Sequence, residues 1–276
     1  MTSSAVPTRL TQYVSRPHGR IAYDLQGSGP LVLLVPGMGE LRSSYRFLTP
    51  ALVAAGYTVA TTDLRGHGDS AATFDSYGDD DTAGDLVALL QKLGEPAVIV
   101  GNSMAAGAGV ISATDRPDLV DGLVLVGPFV RNPASSAFEQ FLFRLLMARP
   151  WAAASWGSYL PKLYAGRKPA DFDAYHKDIG KALRRPGYSK AFSLTTRTRH
   201  QLAETRLPAV KVPVLVVMGD QDPDFKNPQT EAEWIAKAVS GRFVMVPSAG
   251  HYPQSQQPEL TAQVITEFLS SVRPHA

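Results

Sequence analysis

The chain has 276 residues, of which 44% are hydrophobic and 19% charged, ample apolar material for one full core or a core carrying an insertion. Its 27 Lys and Arg against 25 Asp and Glu leave a formal charge of +2, so no overall attraction to a polyanion is implied and no nucleic-acid partner is expected. Cysteine is absent, which removes disulfides, thiolate metal sites and a cysteine nucleophile.

The opening Met1 to Thr11 has a single basic residue and no apolar stretch, so no signal peptide is expected. No run approaches the ~18 apolar residues of a membrane span. The expectation is a cytoplasmic enzyme acting on a small molecule; the sequence carries no signal for oligomeric state.

In chain order, Ile21 to Leu25 alternates like an antiparallel strand. After the Gly27 to Pro30 turn, Leu31 to Val35 is a continuous apolar run suited to a buried parallel strand. Ser43 to Ala55 has helical spacing and stops at Gly56, and Thr58 to Thr62 is β-branched and ends at Asp63. A helix from Thr82 to Leu93 is stopped by Gly94 and followed by a strand from Ala97 to Val100. A helix to about Thr114 and a strand from Leu123 to Val126 come next. After residue 208 the alternation resumes with strand Val214 to Met218, helix Thr230 to Val239, strand Phe243 to Val246 and a last helix from Pro258 to Val272. Strands interleaved with helices at this period specify an α/β fold with a mostly parallel sheet covered on both faces.

The rhythm breaks between Asn132 and Pro208, where only helical stretches are visible. This segment holds 13 Lys and Arg against 5 Asp and Glu, and 11 of the 24 aromatic residues, among them Phe138, Phe141, Phe143, Trp151, Trp156, Tyr159, Tyr164 and Phe192. It reads as an apolar helical cap, residues 132–208, set on a core domain of residues 1–131 and 209–276. Some of the aromatics should face whatever lies beneath, and others should pack the inserted helices together.

Chemistry concentrates at Ser103, in Gly101, Asn102, Ser103, Met104, Ala105, between an apolar strand and a run of small helix-forming residues. A tight strand-to-helix bend exposes a serine oxygen at a helix N-terminus, and it needs small residues two positions either side because the two backbones nearly touch. A serine hydroxyl is a weak nucleophile unless a histidine accepts its proton and a carboxylate fixes that histidine's tautomer. Of six histidines, His275 is terminal, His18 precedes the first strand, His176 and His200 lie in the inserted helices and His67 sits in a glycine-rich loop. His251 follows a strand and precedes the last helix, which places it at the carboxyl edge where the serine bend emerges. The acid should leave another strand end: Gly219 to Asp224 offers Asp220, Asp222 and Asp224, of which Asp222 is preferred and the other two are contenders. The amide of Met104 and that of Met38, in Pro36, Gly37, Met38, Gly39, are the candidate oxyanion donors. No histidine and carboxylate cluster has metal-ligand spacing, and no cofactor is expected.

Together these pieces resemble the α/β-hydrolase family: the loop at Gly37 and Met38, the Asp63 to Ser70 segment Asp-Leu-Arg-Gly-His-Gly-Asp-Ser, the elbow at Ser103, the acid in Gly219 to Asp222, and His251, in the order serine, acid, histidine. The resemblance spans nearly the whole chain and implies an eight-stranded sheet with a helical cap inserted after the sixth strand. Pro36 stands where the family usually has His, and Ala105 where it usually has Gly. The serine at the elbow separates the chain from the epoxide hydrolases and haloalkane dehalogenases, which use an aspartate there.

The function expected is a carboxylic ester hydrolase working through an acyl-enzyme on an apolar ester or lactone, with thioester cleavage sharing the same logic. Gly101 to Met104 with Val126, Gly127, Pro128 also looks like the C–C bond hydrolases of ring-cleavage dienoates, for which a basic cap suits an anionic substrate. A third possibility, of another class, is a ligand receptor of this fold that turns over slowly and signals through cap movement.

Overall fold

The computed structural model describes residues 10–132 and 136–272. The expectations for His275, for most of Met1 to Thr11 and for part of the cap boundary lie outside the described residues. Among those described, no helix is long and apolar enough to cross a membrane.

Eight strands form one sheet in the order β1-β2-β4-β3-β5-β6-β7-β8: β1 (Gln12–Arg16), β2 (Gly19–Gln26), β3 (Leu31–Val35), β4 (Thr58–Thr62), β5 (Ala97–Asn102), β6 (Val120–Val126), β7 (Val214–Gly219) and β8 (Arg242–Val246). The β1–β2 and β2–β4 pairs are antiparallel and the rest are parallel. Successive side chains of the central strands alternate between two cores, as a period of two requires. Leu31, Leu33 and Val35 join Ile99, Leu123, Leu125, Val216 and Met218 on one face. Val32 and Leu34 join Val98, Val100, Val124, Val126, Leu215 and Val217 on the other. Register carries this across the sheet, with Leu33 opposite Ile99, Ile99 opposite Leu123 and Leu125 opposite Val216. Burying each such Leu, Ile or Val contributes about 1.5–3 kcal/mol.

Helices cover both faces. α1 (Leu48–Ala54) lies with the C-terminal helix on one side; α2 (Asp79–Leu93) and α3 (Met104–Asp115) pack together on the other. The single helix expected over Ser43 to Ala55 is instead a short 3-10 turn, Arg42–Tyr45, and then α1. Pro50 explains the break: it sits in the first turn of a helix beginning at Leu48, where a missing N–H costs nothing, but its ring would collide with the Arg46 carbonyl in a helix beginning at Ser43.

Between β6 and β7 the chain forms α4 (Ala137–Leu146), α5 (Ala152–Leu163), α6 (Phe172–Leu183), α7 (Tyr188–Thr195) and α8 (Gln201–Arg206). Their shared core contains Trp156, Leu160, Tyr164, Phe172, Tyr175, Ile179 and Phe192, closed by Tyr252 from beyond β8. Three links tie these helices to the sheet: the Arg46 guanidinium grips both oxygens of Asp171 at 2.6 Å, Trp156 Nε1–H donates to the Gly39 carbonyl at 3.1 Å, and Gly166 bridges Ala249. The chain closes with α9 (Pro228–Ala238), α10 (Pro253–Gln256) and α11 (Pro258–Val272).

Candidate active site

Ser103 is the last residue before α3 and has φ 58° and ψ −126°, a backbone conformation that a side chain other than glycine's rarely takes. The strain is held by hydrogen bonds on both sides, Ser103 N–H to the Val126 carbonyl at 2.9 Å and Phe129 N–H to the Ser103 carbonyl at 3.2 Å. Close approach fixes the small neighbours: a Cβ on Gly101 would lie 2.5 Å from the Ala105 carbonyl oxygen, and one on Gly37 would lie 2.8 Å from the Ser103 Cβ. Ala105 itself, in the first turn of α3, is wholly buried in the core, so its methyl is accommodated.

His251 is 2% exposed, and its Nδ1 lies 2.7 Å from Asp222 Oδ2, also 2% exposed. A carboxylate can only accept there, so Nδ1 carries a hydrogen and Nε2 is the free ring nitrogen. Burial depresses the imidazole, but the Asp222 charge and hydrogen bond, with Asp224 and Glu40 nearby, outweigh it and push it up to about 9. The histidine is fixed at its backbone as well, through His251 N–H to the Leu163 carbonyl at 2.8 Å and Asn102 Nδ2–H to the His251 carbonyl at 3.1 Å. Asn102 spends its other amide hydrogen on the Val126 carbonyl.

The other two aspartates divide clearly. Asp220 is exposed at the end of β7. Asp224 is largely buried, accepts the Tyr159 hydroxyl at 2.6 Å, and has its Oδ2 3.9 Å from His251 Nδ1; burial, above all, raises its carboxyl. The ligand atoms of Asp222, Asp224 and His251 all lie within 4.8 Å of one another, a grouping that sequence spacing did not reveal. The Nδ1–H bond to Asp222 and the Tyr159 hydroxyl on Asp224 account for this proximity without an ion.

Ser103, Met104, Met38 and His251 line one cavity of about 590 Å³. Asp222 stands behind His251, outside the cavity wall. Phe143, itself partly open to solvent, Trp156 and Tyr159 line it from the inserted helices, whereas Phe138, Phe141 and Trp151 are exposed and do not line it. Met104 opens α3, where the first four N–H groups have no helical acceptor. In the Met38 loop, Gly39 N–H donates to His67 Nε2 at 3.0 Å and Glu40 N–H to the Gly37 carbonyl at 3.3 Å, so neighbouring amides are committed while Met38 faces the cavity.

Two residues support the site in ways that the sequence did not indicate. His67 is buried, holds Gly39 through Nε2 and donates from Nδ1 to the Arg65 carbonyl at 2.9 Å; burial holds its ring below the ordinary histidine value. Its loop is anchored by Asp63, which accepts Asp69 N–H at 2.9 Å and pairs with Arg42. Glu40, 0% exposed, accepts the Tyr175 hydroxyl at 2.5 Å, and burial pushes its carboxyl up to about 8. His18 is exposed, and His176 bonds the Gly157 carbonyl at 2.8 Å.

With strand order, elbow and His–Asp pair in place, comparison with known proteins fixes the class. A family model described as "Alpha/beta hydrolase family" matches residues 32–264, and the chain belongs to that family. It is similar to 2-(acetamidomethylene)succinate hydrolase of Mesorhizobium japonicum, at 29% identity over 273 residues, covering 92% of this chain and 93% of that protein. It also matches the structure of a thermophilic esterase from Thermogutta terrifontis with a TM-score of 0.78 and 25% identity, over 96% of this chain and 99% of that one. An epoxide hydrolase of Caballeronia sordidicola is 37% identical, but over 119 residues, 42% of this chain and 36% of that one. These relatives support a hydrolase.

Proposed function

We propose that the protein is a serine hydrolase of carboxylic esters, with residues 132–208 as a cap over a core of residues 1–131 and 209–276. The observation that carries this reading is the 2.7 Å bond from His251 Nδ1 to buried Asp222, on a histidine that shares one cavity with the strained Ser103. Ser103 Oγ attacks the ester carbonyl while His251 Nε2 takes its proton. The carbonyl π pair moves to oxygen, where the Met38 and Met104 amides receive it, each worth ~3 kcal/mol by the usual mutational cost. The oxyanion collapses, the C–O bond to the leaving alcohol breaks, and His251 returns the proton to that alcohol. A water then gives its proton to His251 and attacks the acyl-enzyme; the acid departs and Ser103 is reprotonated.

Asn102, the residue behind the likeness to C–C bond hydrolases, is spent on two backbone carbonyls, which favours the ester reading. The experiment is steady-state turnover of p-nitrophenyl esters of graded chain length, with a lactone and a hydroxymuconate-type dienoate alongside. Multiple turnover of esters that Ser103→Ala abolishes supports the proposal. A burst of one product per enzyme followed by near-arrest points to a receptor, and cleavage of the dienoate without the esters points to C–C chemistry.

A further inference from the structure

A second histidine–aspartate pair lies on the wall of the same cavity. His200 Nδ1 is 2.8 Å from Asp79 Oδ2; Asp79 is 2% exposed and His200 8% exposed. Nδ1 is committed to the carboxylate, which leaves Nε2 for the cavity that His200 lines. The Phe129 ring stands between the two histidines, its centroid 5.6 Å from His200 and 5.7 Å from His251. His200 is therefore held one aromatic ring away from the base of the proposed reaction, too far to exchange protons with it and near enough to touch the same substrate.

The segment leading to His200 lines the cavity too, and it brings Arg197 and Arg199, both exposed; Arg144 of α4 joins them. Other arginines nearby are neutralised: Arg131 by Glu231 at 2.5 Å and Arg206 by Asp115 at 3.0 Å. Among the described residues, no carboxylate lies within salt-bridge distance of Arg144, Arg197 or Arg199. Two carboxylates also reach the cavity wall, Glu139 held by the Ser136 capping box and Asp224 by the Tyr159 hydroxyl, and neither is within salt-bridge distance of the three arginines. One wall of the cavity thus presents unpaired cations around an anchored imidazole. That is an arrangement that attracts an anion, and planar guanidinium groups match a carboxylate in particular.

Resting on the ester-hydrolase reading, we infer that Arg197, Arg199 and His200 bind a carboxylate carried by the substrate away from the scissile carbonyl, so that the enzyme takes monoesters of dicarboxylic acids or esters with an acidic leaving group. Arg197 and Arg199 supply charge at the mouth. His200, with Asp79 behind it, supplies a fixed Nε2 that orients the group.

The test compares mono-p-nitrophenyl succinate with p-nitrophenyl butyrate, and 4-acetoxybenzoate with its methyl ester, each normalised to its own alkaline hydrolysis rate. Wild-type enzyme is expected to favour the charged member of at least one pair by about tenfold in kcat/KM. Arg197→Ala, Arg199→Ala and His200→Asn should each lower that ratio by about fivefold or more. Lys190→Ala, which removes a cap cation outside the cavity, should leave the ratio alone. Equal losses on charged and uncharged esters, or a wild-type preference for the uncharged member of both pairs, overturns the inference. Turnover of none of the four esters is a failure of the hydrolase reading instead. In that case, calorimetric binding of monomethyl succinate to wild type, weakened in Arg197→Ala, sustains the anion site, and no binding overturns it.

Discussion

The Gly39 N–H donates to Nε2 of His67 at 3.0 Å, across 28 residues of sequence. The acceptor works because the His67 ring is neutral, with its proton on Nδ1 and held by the Arg65 carbonyl. A protonated ring would aim an N–H at an N–H. Burial favours the neutral form, so the loop that presents Met38 is set by a histidine that the proposed reaction does not need to titrate. His67→Ala is expected to lower kcat for a p-nitrophenyl ester by about tenfold with KM less affected, because a misplaced oxyanion donor is felt in the transition state. Stopped-flow or steady-state kinetics, beside a thermal melt that verifies folding, checks this.

Ser103→Ala and His251→Ala should each remove ester turnover almost entirely. Asp222→Asn should cost about a thousandfold or more, since an amide can present its N–H to Nδ1 and hold the wrong tautomer. Asp220→Asn, at an exposed position, should be neutral, and Asp224→Asn, which keeps an oxygen for Tyr159, should retain most activity. Near-full turnover in Asp222→Asn would sink the assignment of the acid.

The pH dependence follows from the same pair. In the proposed reaction His251 must be neutral to accept the serine proton, and Asp222 with its companions raises the imidazole to about 9 against the pull of burial. Activity should therefore climb with pH through the neutral range and onward, rather than level off near the ordinary histidine value. Asp222→Asn removes the charge that stabilises imidazolium, so its residual kcat/KM should rise at lower pH than in wild type. A limb that stays in place would mean that another group governs it.

The sequence made most of this architecture legible because buried parallel strands appear as unbroken apolar runs, such as Leu31 to Val35, and because the residues proposed as catalytic each follow a strand. Gln12–Arg16 escaped notice: only Val14 of its five residues is buried, so an edge strand shows little hydrophobic signal. The helix over Ser43 to Ala55 had the right periodicity, and Pro50 was the marker of its later start. His67 and Glu40 were out of reach for a different reason. Their partners Gly39 and Tyr175 lie 28 and 135 residues away, and no local pattern encodes such a contact. Asp222 was preferred over Asp220 and Asp224 in the sequence, and the structure separates it from largely buried Asp224 by the 2.7 Å bond to His251 Nδ1, a contact that local spacing does not encode.

Glu40 makes stability depend on pH. Its folded carboxyl titrates at about 8, above the reference glutamate value of 4.5, because burial penalises the charged form. The folded state thus holds a proton that the unfolded chain has released, and stability declines as pH rises from about 4.5 to about 8. Glu40→Gln removes this decline: melting curves at pH 5 and pH 9 should show the variant gaining on wild type at the higher pH. Parallel curves would refute a buried neutral Glu40.

Gly39 couples the Met38 loop, the proposed source of an oxyanion donor, to α5, and its replacement should separate fold from activity. Its φ of +73° disfavours any side chain, and a Cβ built there would lie 2.3 Å from the indole of Trp156, whose Nε1–H already donates to the Gly39 carbonyl. Gly39→Ala must therefore move either the loop, displacing the Met38 amide, or the indole, loosening α5 over the cavity. The expected result is a loss of at least about a hundredfold in kcat with a smaller loss of thermal stability. In Trp156→Ala, which vacates the space but keeps the loop sequence, the added Gly39→Ala change should cost less than it does alone, because only the backbone strain remains. A double-mutant cycle measures that difference, and strictly additive effects would show that the indole does not restrain the loop.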